Sequence, residues 1–446
     1  TRRRVFMVRA IRAGWLEEGG MDRNGNEREK ERIRRVTGLL YEASRSIRVL
    51  AAISWPSEVR AKFFAQGAME LPQVSYEPVD KGPTIEAVQE ARRHLAGNGS
   101  VDQWMARQAN TLERSAHMLA AVGTPAFFGH ARELYGEPTA PLQLFPLTSL
   151  ELAEGVRETI GQLARVDIEI AAPSYHSAEE IALDIERAVR GHFGDAAPSV
   201  ELVDELSSNA LASASAIRIR RDARFTDRDA GQLLNHEAYI HVGTSLNGRA
   251  QTDLPILAAG HPGTTRTQEG LAVFAEIISG TMELDRMQRL ADRVIAIQMA
   301  VEGADFLQVY RYFLDRSRSD EQAFESTRRV FRGGVLTGGA PFTKDVVYLF
   351  GLLQVSNFIR ASFAAGRADV LRLLFCGKLD LQDLPVMCQL HAIGLLQAPV
   401  HLPPWINDPR YLLALLTYST FMNKMDIQSL QVAAEQLLAD APVVKV

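Results

Sequence analysis

Cysteine is almost absent from this chain. Cys376 and Cys388 are the only two among 446 residues, so the fold cannot rest on a disulfide framework, and a structural zinc–thiolate site is excluded. There is no surplus of basic charge either. A formal net charge of -5 speaks against a nucleic-acid partner and against a polybasic membrane binder. Long apolar runs are missing as well. The two most apolar stretches, 346–359 and 411–422, fall short of the roughly 20 residues a spanning helix needs and carry polar breaks, so both read as buried helices. The opening TRRRVFMVRAIRAGW is basic without a sustained apolar core, so no secretory leader is expected, and Met21 stands nearer the start of the folded part. Gly333-Gly334 and Gly338-Gly339 lack the G-x-x-x-x-G-K-[ST] context of a phosphate loop. These absences suit a cytoplasmic protein with neither nucleic acid nor membrane as partner. What is present, 46% hydrophobic and 23% charged residues, is ordinary for a folded globular protein with substantial cores.

Four regions follow from the pattern along the chain. Residues 1–35 form a charged lead-in (DRNGNEREKERIRR), with packing expected from Thr37. Residues 36–175 carry apolar positions at helical spacing, broken at Trp55-Pro56, at Lys81-Gly82-Pro83 and between Pro138 and Pro146, and read as a helical N-terminal lobe. In 176–300, Ser177 with Glu180 three residues on is a capping box that opens a helix to about Phe193. Val200 to Val203 and Ala216 to Arg220 alternate as half-buried strands do, and Thr226 with Asp229 opens a further helix. Residues 301–446 read as helices broken at glycine and proline pairs.

The chemistry-bearing segment is His236-Glu237-Ala238-Tyr239-Ile240-His241, the content of the HExxH zinc motif with one residue added. On a regular α-helix, residues five apart diverge by about 140°. If both imidazoles hold one ion, a π-type turn or an early helix end must therefore fall between His236 and Gly243. A catalytic zinc usually takes three protein ligands and leaves a position for water. Glu269, at the head of the apolar run EGLAVFAEII, is the best third ligand, although an acid near a helix N-terminus requires no metal. His261 is the rival, but its Gly-His-Pro-Gly turn predicts a surface position. The other histidines, His94, His117, His130, His176, His192, His391 and His401, show no ligand spacing and read as surface or satisfied residues.

HEAYIHV, SLNGRAQ, GHPGTTRTQEGLAVFAE, RVFRGG and FTKDVVYL, in that order, resemble the QEGLA-motif metallopeptidase family. That family is also called flavohaemoglobin-expression-modulating and is related to the microtubule-associated tyrosine carboxypeptidases. The resemblance is densest between Ala178 and Pro404. It implies one zinc per chain, held by His236, His241 and Glu269, with Glu237 as catalytic base. Through the KDVVY string it also implies Tyr348 as a donor to the developing oxyanion; the other reading of Tyr348 is a buried tyrosine capping an apolar helix. It does not carry over a substrate, since no segment looks like a dedicated tubulin-binding region.

A carboxypeptidase must anchor a terminal carboxylate. Arg332, followed by glycines that could let a peptide approach, or Lys344 could do so; a solvated surface charge is the plainer account of either. The strand Ala216 to Arg220 is read as an edge that could hold an extended peptide. The expectation is therefore an α+β, mostly α, gluzincin-like fold with a small antiparallel sheet beside the zinc helix. Its function would be zinc-dependent hydrolysis at a peptide or protein C-terminus. The alternative is a zinc-binding regulatory protein, an inactive peptidase that modulates expression or a partner.

Overall fold

The computed structural model describes residues 23–142, 146–163, 174–204, 206, 209–317 and 319–424. The first 22 residues of the lead-in lie outside these. Helices longer than six residues are α1 (Arg23–Ser44), α2 (Ser57–Ala65), α3 (Gly82–Arg93), α4 (Ser100–Ala120), α5 (Pro125–Tyr135), α6 (Ser149–Leu163), α7 (Ala178–Phe193), α8 (Asp227–Leu233), α9 (Gly243–Arg249), α10 (Pro262–Ile278), α11 (Leu284–Val301), α12 (Phe306–Leu314), α13 (Asp320–Phe331), α14 (Val347–Ala364), α15 (Leu384–Ala392) and α16 (Arg410–Met422). The chain is thus mostly helical. Five short strands are inserted: β1 (Tyr175–His176), β2 (Ser199–Val203), β3 (Ala210–Ala212), β4 (Ala216–Arg220) and β5 (Phe225–Thr226).

The charged lead-in enters the core earlier than its composition suggests. Ile33 and Val36 on α1 are fully buried, four and one residues before the expected start, because α1 turns one apolar stripe inward while its charged faces stay wet. The main core gathers α1 and α3–α5 with α10–α15. A second, smaller core joins α7 to the sheet and to Ala238 and Val242. The capping box at Ser177 forms, with its backbone N–H donating to Glu180 at 2.8 Å, and Thr226 N–H donates likewise to Asp229 at 2.7 Å.

β1 and β5, the latter just before α8, form a two-stranded antiparallel sheet, and a second, three-stranded sheet is mixed where an antiparallel one is expected. Its order is β2-β4-β3, with β2 and β4 parallel and β3 and β4 antiparallel. The segment between the two expected strands contains β3, which turns back at Ser213–Ser215 to form a hairpin with β4. β2 then adds to the far side of β4 in the parallel sense. The strand Ala216–Arg220 is consequently the central strand, paired on both sides, and the open edge beside the histidine-bearing segment is β3.

Of the two apolar runs, Lys344–Ala364 is long and apolar enough to cross a membrane by length and composition, yet it packs as a core helix against α10. The second run, in α16, is not buried. Leu412 is fully covered while Tyr411, Tyr418 and Phe421 are exposed, because among the described residues only one side of this helix meets the rest of the protein.

The α10–α14 crossing positions the site. Gly270 and Gly351 meet backbone to backbone: a Cβ on Gly270 would lie 2.3 Å from the Gly351 carbonyl carbon, and one on Gly351 would lie 2.3 Å from the Arg266 oxygen. Only hydrogen on both sides allows this approach. It holds Glu269, the neighbour of Gly270, against the residues just before α14.

Candidate metal centre

The backbone from Leu234 to Val242 is a π-helix, continuous with α8 before it and α9 after it. This is one of the two forms that the five-residue histidine spacing allows, since the i→i+5 turn returns His241 to the face of His236. The two rings lie 5.0 Å apart, edge to face. Carbonyls disturbed by the widened turn find other donors. Thr244 Oγ1 donates to Ile240 O at 2.7 Å, Ser245 Oγ to His241 O at 2.6 Å, and Lys378 Nζ to His241 O at 3.0 Å.

Three ligand atoms converge. One from each of His236, His241 and Glu269 lie within 4.8 Å of one another. Glu269 Oε2 faces both imidazoles, 3.5 Å from His236 Nε2 and 3.8 Å from His241 Nε2. It is buried and has no hydrogen-bond partner. These separations are too long for hydrogen bonds. They are close to the spacing of about 3.4 Å between two ligands each 2.0–2.1 Å from one tetrahedral ion. A buried acceptor oxygen with no donor, facing two ring nitrogens, fits a cation.

Glu269 enters this group from the third turn of α10, not from the first as the sequence suggests. The Gly-His-Pro-Gly segment starts the helix: Pro262 takes the first position, where its fixed φ suits a helix and its missing N–H costs nothing, and His261 is the N-cap. His261 is buried, not on the surface, and accepts from Gly263 N at 3.3 Å. Burial pushes its pKa down to about 4. It stands outside the converging group.

A second layer fixes the first. Glu276 lies seven residues after Glu269, two turns on along the same face of α10, and its Oε1 is 2.6 Å from His236 Nδ1. Arg286 grips Glu276 with two bonds of 3.2 and 3.1 Å. Burial would raise the Glu276 pKa, but Arg286 and His236 outweigh it and hold it at about 2. Burial likewise opposes the imidazolium of His236, yet Glu269 and Glu276 lift its pKa to about 10. His241 is pushed below its ordinary value by burial, which Glu269 opposes without overcoming. Glu269 stays well below the carboxylate range in spite of its burial, through Lys344 and the two histidines. Sequence reading missed Glu276, although its i+7 spacing from Glu269 was visible. Arg286 and Lys378 carried no such signal.

Glu237 projects from the same π-helix, half-buried, and makes no hydrogen bond or ion pair with any described residue. Lys344, read from sequence as an anchor or a surface charge, is buried and already committed: its Nζ donates to Glu269 Oε1 at 2.8 Å and to Tyr348 Oη at 3.1 Å. Tyr348 is buried, and its oxygen also accepts from Arg329 Nη2 at 3.4 Å. Its single proton is given to no described residue. Arg332 is buried at 5% exposure, too covered for a solvated surface charge. Its Nε has no partner and its guanidinium lies 5.9 Å from the Phe342 ring centroid. The glycines after it serve packing, not substrate approach: Gly333 has φ +78°, and a Cβ there would lie 2.5 Å from Phe127. Gly333 N–H also donates to Tyr76 Oη at 2.8 Å, and Tyr76 walls a cavity of about 690 Å³ with Trp55, Phe324 and Arg220.

The family model described as microtubule-associated tyrosine carboxypeptidase matches residues 61–424. No curated protein matches the chain.

Proposed function

The chain belongs to the microtubule-associated tyrosine carboxypeptidase family, and on that premise we propose that it is a single-zinc, gluzincin-like metallopeptidase acting at peptide or protein C-termini in a reducing cytoplasm. The observation that carries this reading is the convergence of His236, His241 and Glu269 around an unpartnered carboxylate oxygen, with the free Glu237 beside them. These three residues would hold the zinc. When bound, zinc supplies an electrophile that polarises a carbonyl and acidifies water.

The chain's own groups do the rest. Glu237 accepts the proton of the attacking water and passes it to the leaving amine. The Tyr348 hydroxyl, whose oxygen is held by Lys344 and Arg329, donates its uncommitted proton to the developing oxyanion. Arg332 anchors the terminal carboxylate, because Lys344 is occupied by Glu269 and Arg332 is not occupied at all. β3, the open edge, pairs with the extended substrate in place of the central strand Ala216–Arg220. The family's name places its activity on microtubules; this chain's substrate is proposed only as a C-terminal peptide.

Metal analysis of the purified protein, joined to a peptide-library digest read by mass spectrometry, tests the proposal. About one zinc per chain and products shortened by one C-terminal residue are expected. Zinc without any product would favour the regulatory alternative, and a protein that hydrolyses peptides fully without metal would reject the mechanism. Glu276→Gln should weaken zinc binding by about 10- to 100-fold, the usual cost of losing a carboxylate behind a ligating histidine. Competition with a chelator measures this, and unchanged affinity would remove Glu276 from the centre.

A further inference from the structure

The two histidines of the centre are held in different ways. His236 has Glu276 behind its Nδ1, at 2.6 Å. The ring of His241 makes no hydrogen bond to a described residue, since its Nε2 stands 3.8 Å from Glu269 Oε2. A ligating histidine is ordinarily aimed by a partner on its other ring nitrogen. His241 is instead gripped through its main chain: its carbonyl accepts from Ser245 Oγ at 2.6 Å and from Lys378 Nζ at 3.0 Å. Lys378 is half-buried and forms no ion pair with a described residue. Its ammonium is directed at two neutral oxygens, the His241 carbonyl and Gln268 Oε1, each at 3.0 Å. Gln268 immediately precedes Glu269 on α10. One lysine therefore ties the π-helix to α10 on the His241 side, as Glu276 does on the His236 side.

The segment that carries Lys378 is itself fixed. Asn247 Nδ2 donates to Phe375 O at 2.7 Å, Gln251 Nε2 to Cys376 O at 3.2 Å, and Lys378 N–H to Leu257 O at 2.7 Å. A Cβ on Gly377 would lie 2.7 Å from the same Leu257 oxygen, so only glycine lets the loop lie this close. Asn247 and Gln251 are the two buried amides of the SLNGRAQ motif. Each also clamps a second loop, Asn247 at His401 and Gln251 at Gln397. Resting on the metal-centre reading above, we propose that Lys378 is a positioning residue. By holding the His241 carbonyl it keeps the π-helical turn in the register that faces His241 toward Glu269, and SLNGRAQ is the frame that keeps Lys378 in place. Without that charged donor the turn relaxes toward regular α-helical spacing, which points residues five apart about 140° from each other, and His241 turns away from Glu269.

Lys378→Met removes the donor at nearly the same side-chain length. In the metal-free protein, hydrogen exchange of the amides from Leu234 to Val242 should quicken about 10-fold or more, the worth of one bond from a charged group. The amides of α12, remote from this turn, should exchange as in the wild type. Zinc affinity, measured against a chelator, should fall about 10- to 100-fold. Cobalt(II) in place of zinc should give a changed visible spectrum at saturation, because one ligand has turned away; a variant that is only less stable would give the wild-type spectrum once loaded. Lys378→Arg, which keeps the charge and the donors, should recover part of the affinity. Lys378→Gln, a polar replacement for use if the methionine variant misfolds, should show the same losses. In a wild-type protein that binds zinc, unchanged exchange, unchanged affinity or an unchanged cobalt spectrum in these neutral variants overturns the positioning role. Faster exchange confined to Leu234–Val242, in a protein whose wild type binds no zinc, leaves Lys378 as the clamp of the π-helix and overturns the metallopeptidase reading instead.

Discussion

Glu237→Gln protein is expected to keep one zinc per chain and to hydrolyse peptides about 10²- to 10⁴-fold more slowly, the range that one positioned base contributes. The amide fills the same space as the carboxylate but accepts no proton. Glu237 is not among the converging ligand atoms and bonds to no described side chain, so its replacement disturbs neither the π-helix nor the second layer. His236→Ala, His241→Ala and Glu269→Ala should behave differently and release the metal. Elemental analysis beside peptide turnover separates the two outcomes, and full activity in Glu237→Gln protein would remove the general base from the mechanism.

Gly270→Ala should cost about 2–3 kcal/mol or more in chemical denaturation and lower metal content as well. Alanine in a helix gains at most about 1 kcal/mol over glycine, which works against this expectation. The new methyl, however, would sit 2.3 Å from the Gly351 carbonyl carbon. That atom is backbone on a buried helix and cannot swing aside, so α10 and α14 must separate, with the strain typical of an overpacked core. The separation pulls Glu269 away from Lys344 and from the two imidazoles together. A Gly270→Ala protein with wild-type stability and full zinc would show that the crossing is not what sets the site.

Local patterns carried much of this. The Ser177 and Thr226 caps rest on contacts within three residues, and the strands Val200–Val203 and Ala216–Arg220 and the helical run before them show as local periodicity, so sequence shows them directly. The five-residue gap between His236 and His241 allowed only an irregular helix if both faced one ion, and the π-helix meets that condition. Strand direction was not legible in the same way. Whether Ala216–Arg220 is an edge or a centre depends on where β3 turns and on which side β2 joins, and alternation is identical in both cases. The buried state of His261, Lys344 and Arg332 was hidden for a related reason: charged and turn-forming residues read as exposed unless their partners, 75 residues away for Lys344 and Glu269, are known.

The sequence by itself determined the residue types of the candidate centre, the irregular helix that two of them require if they share one ion, and the lack of a disulfide framework or of any net basic charge. These follow from composition and from spacing along one segment. Only the tertiary structure decided that Glu269 meets Lys344, that Glu276 and Arg286 stand behind His236, and that Arg332 is buried with its Nε unpartnered. The first of these depends on how closely α10 approaches α14. That approach is set by two glycines 81 positions apart in the chain, Gly270 and Gly351, whose contact no local pattern announces.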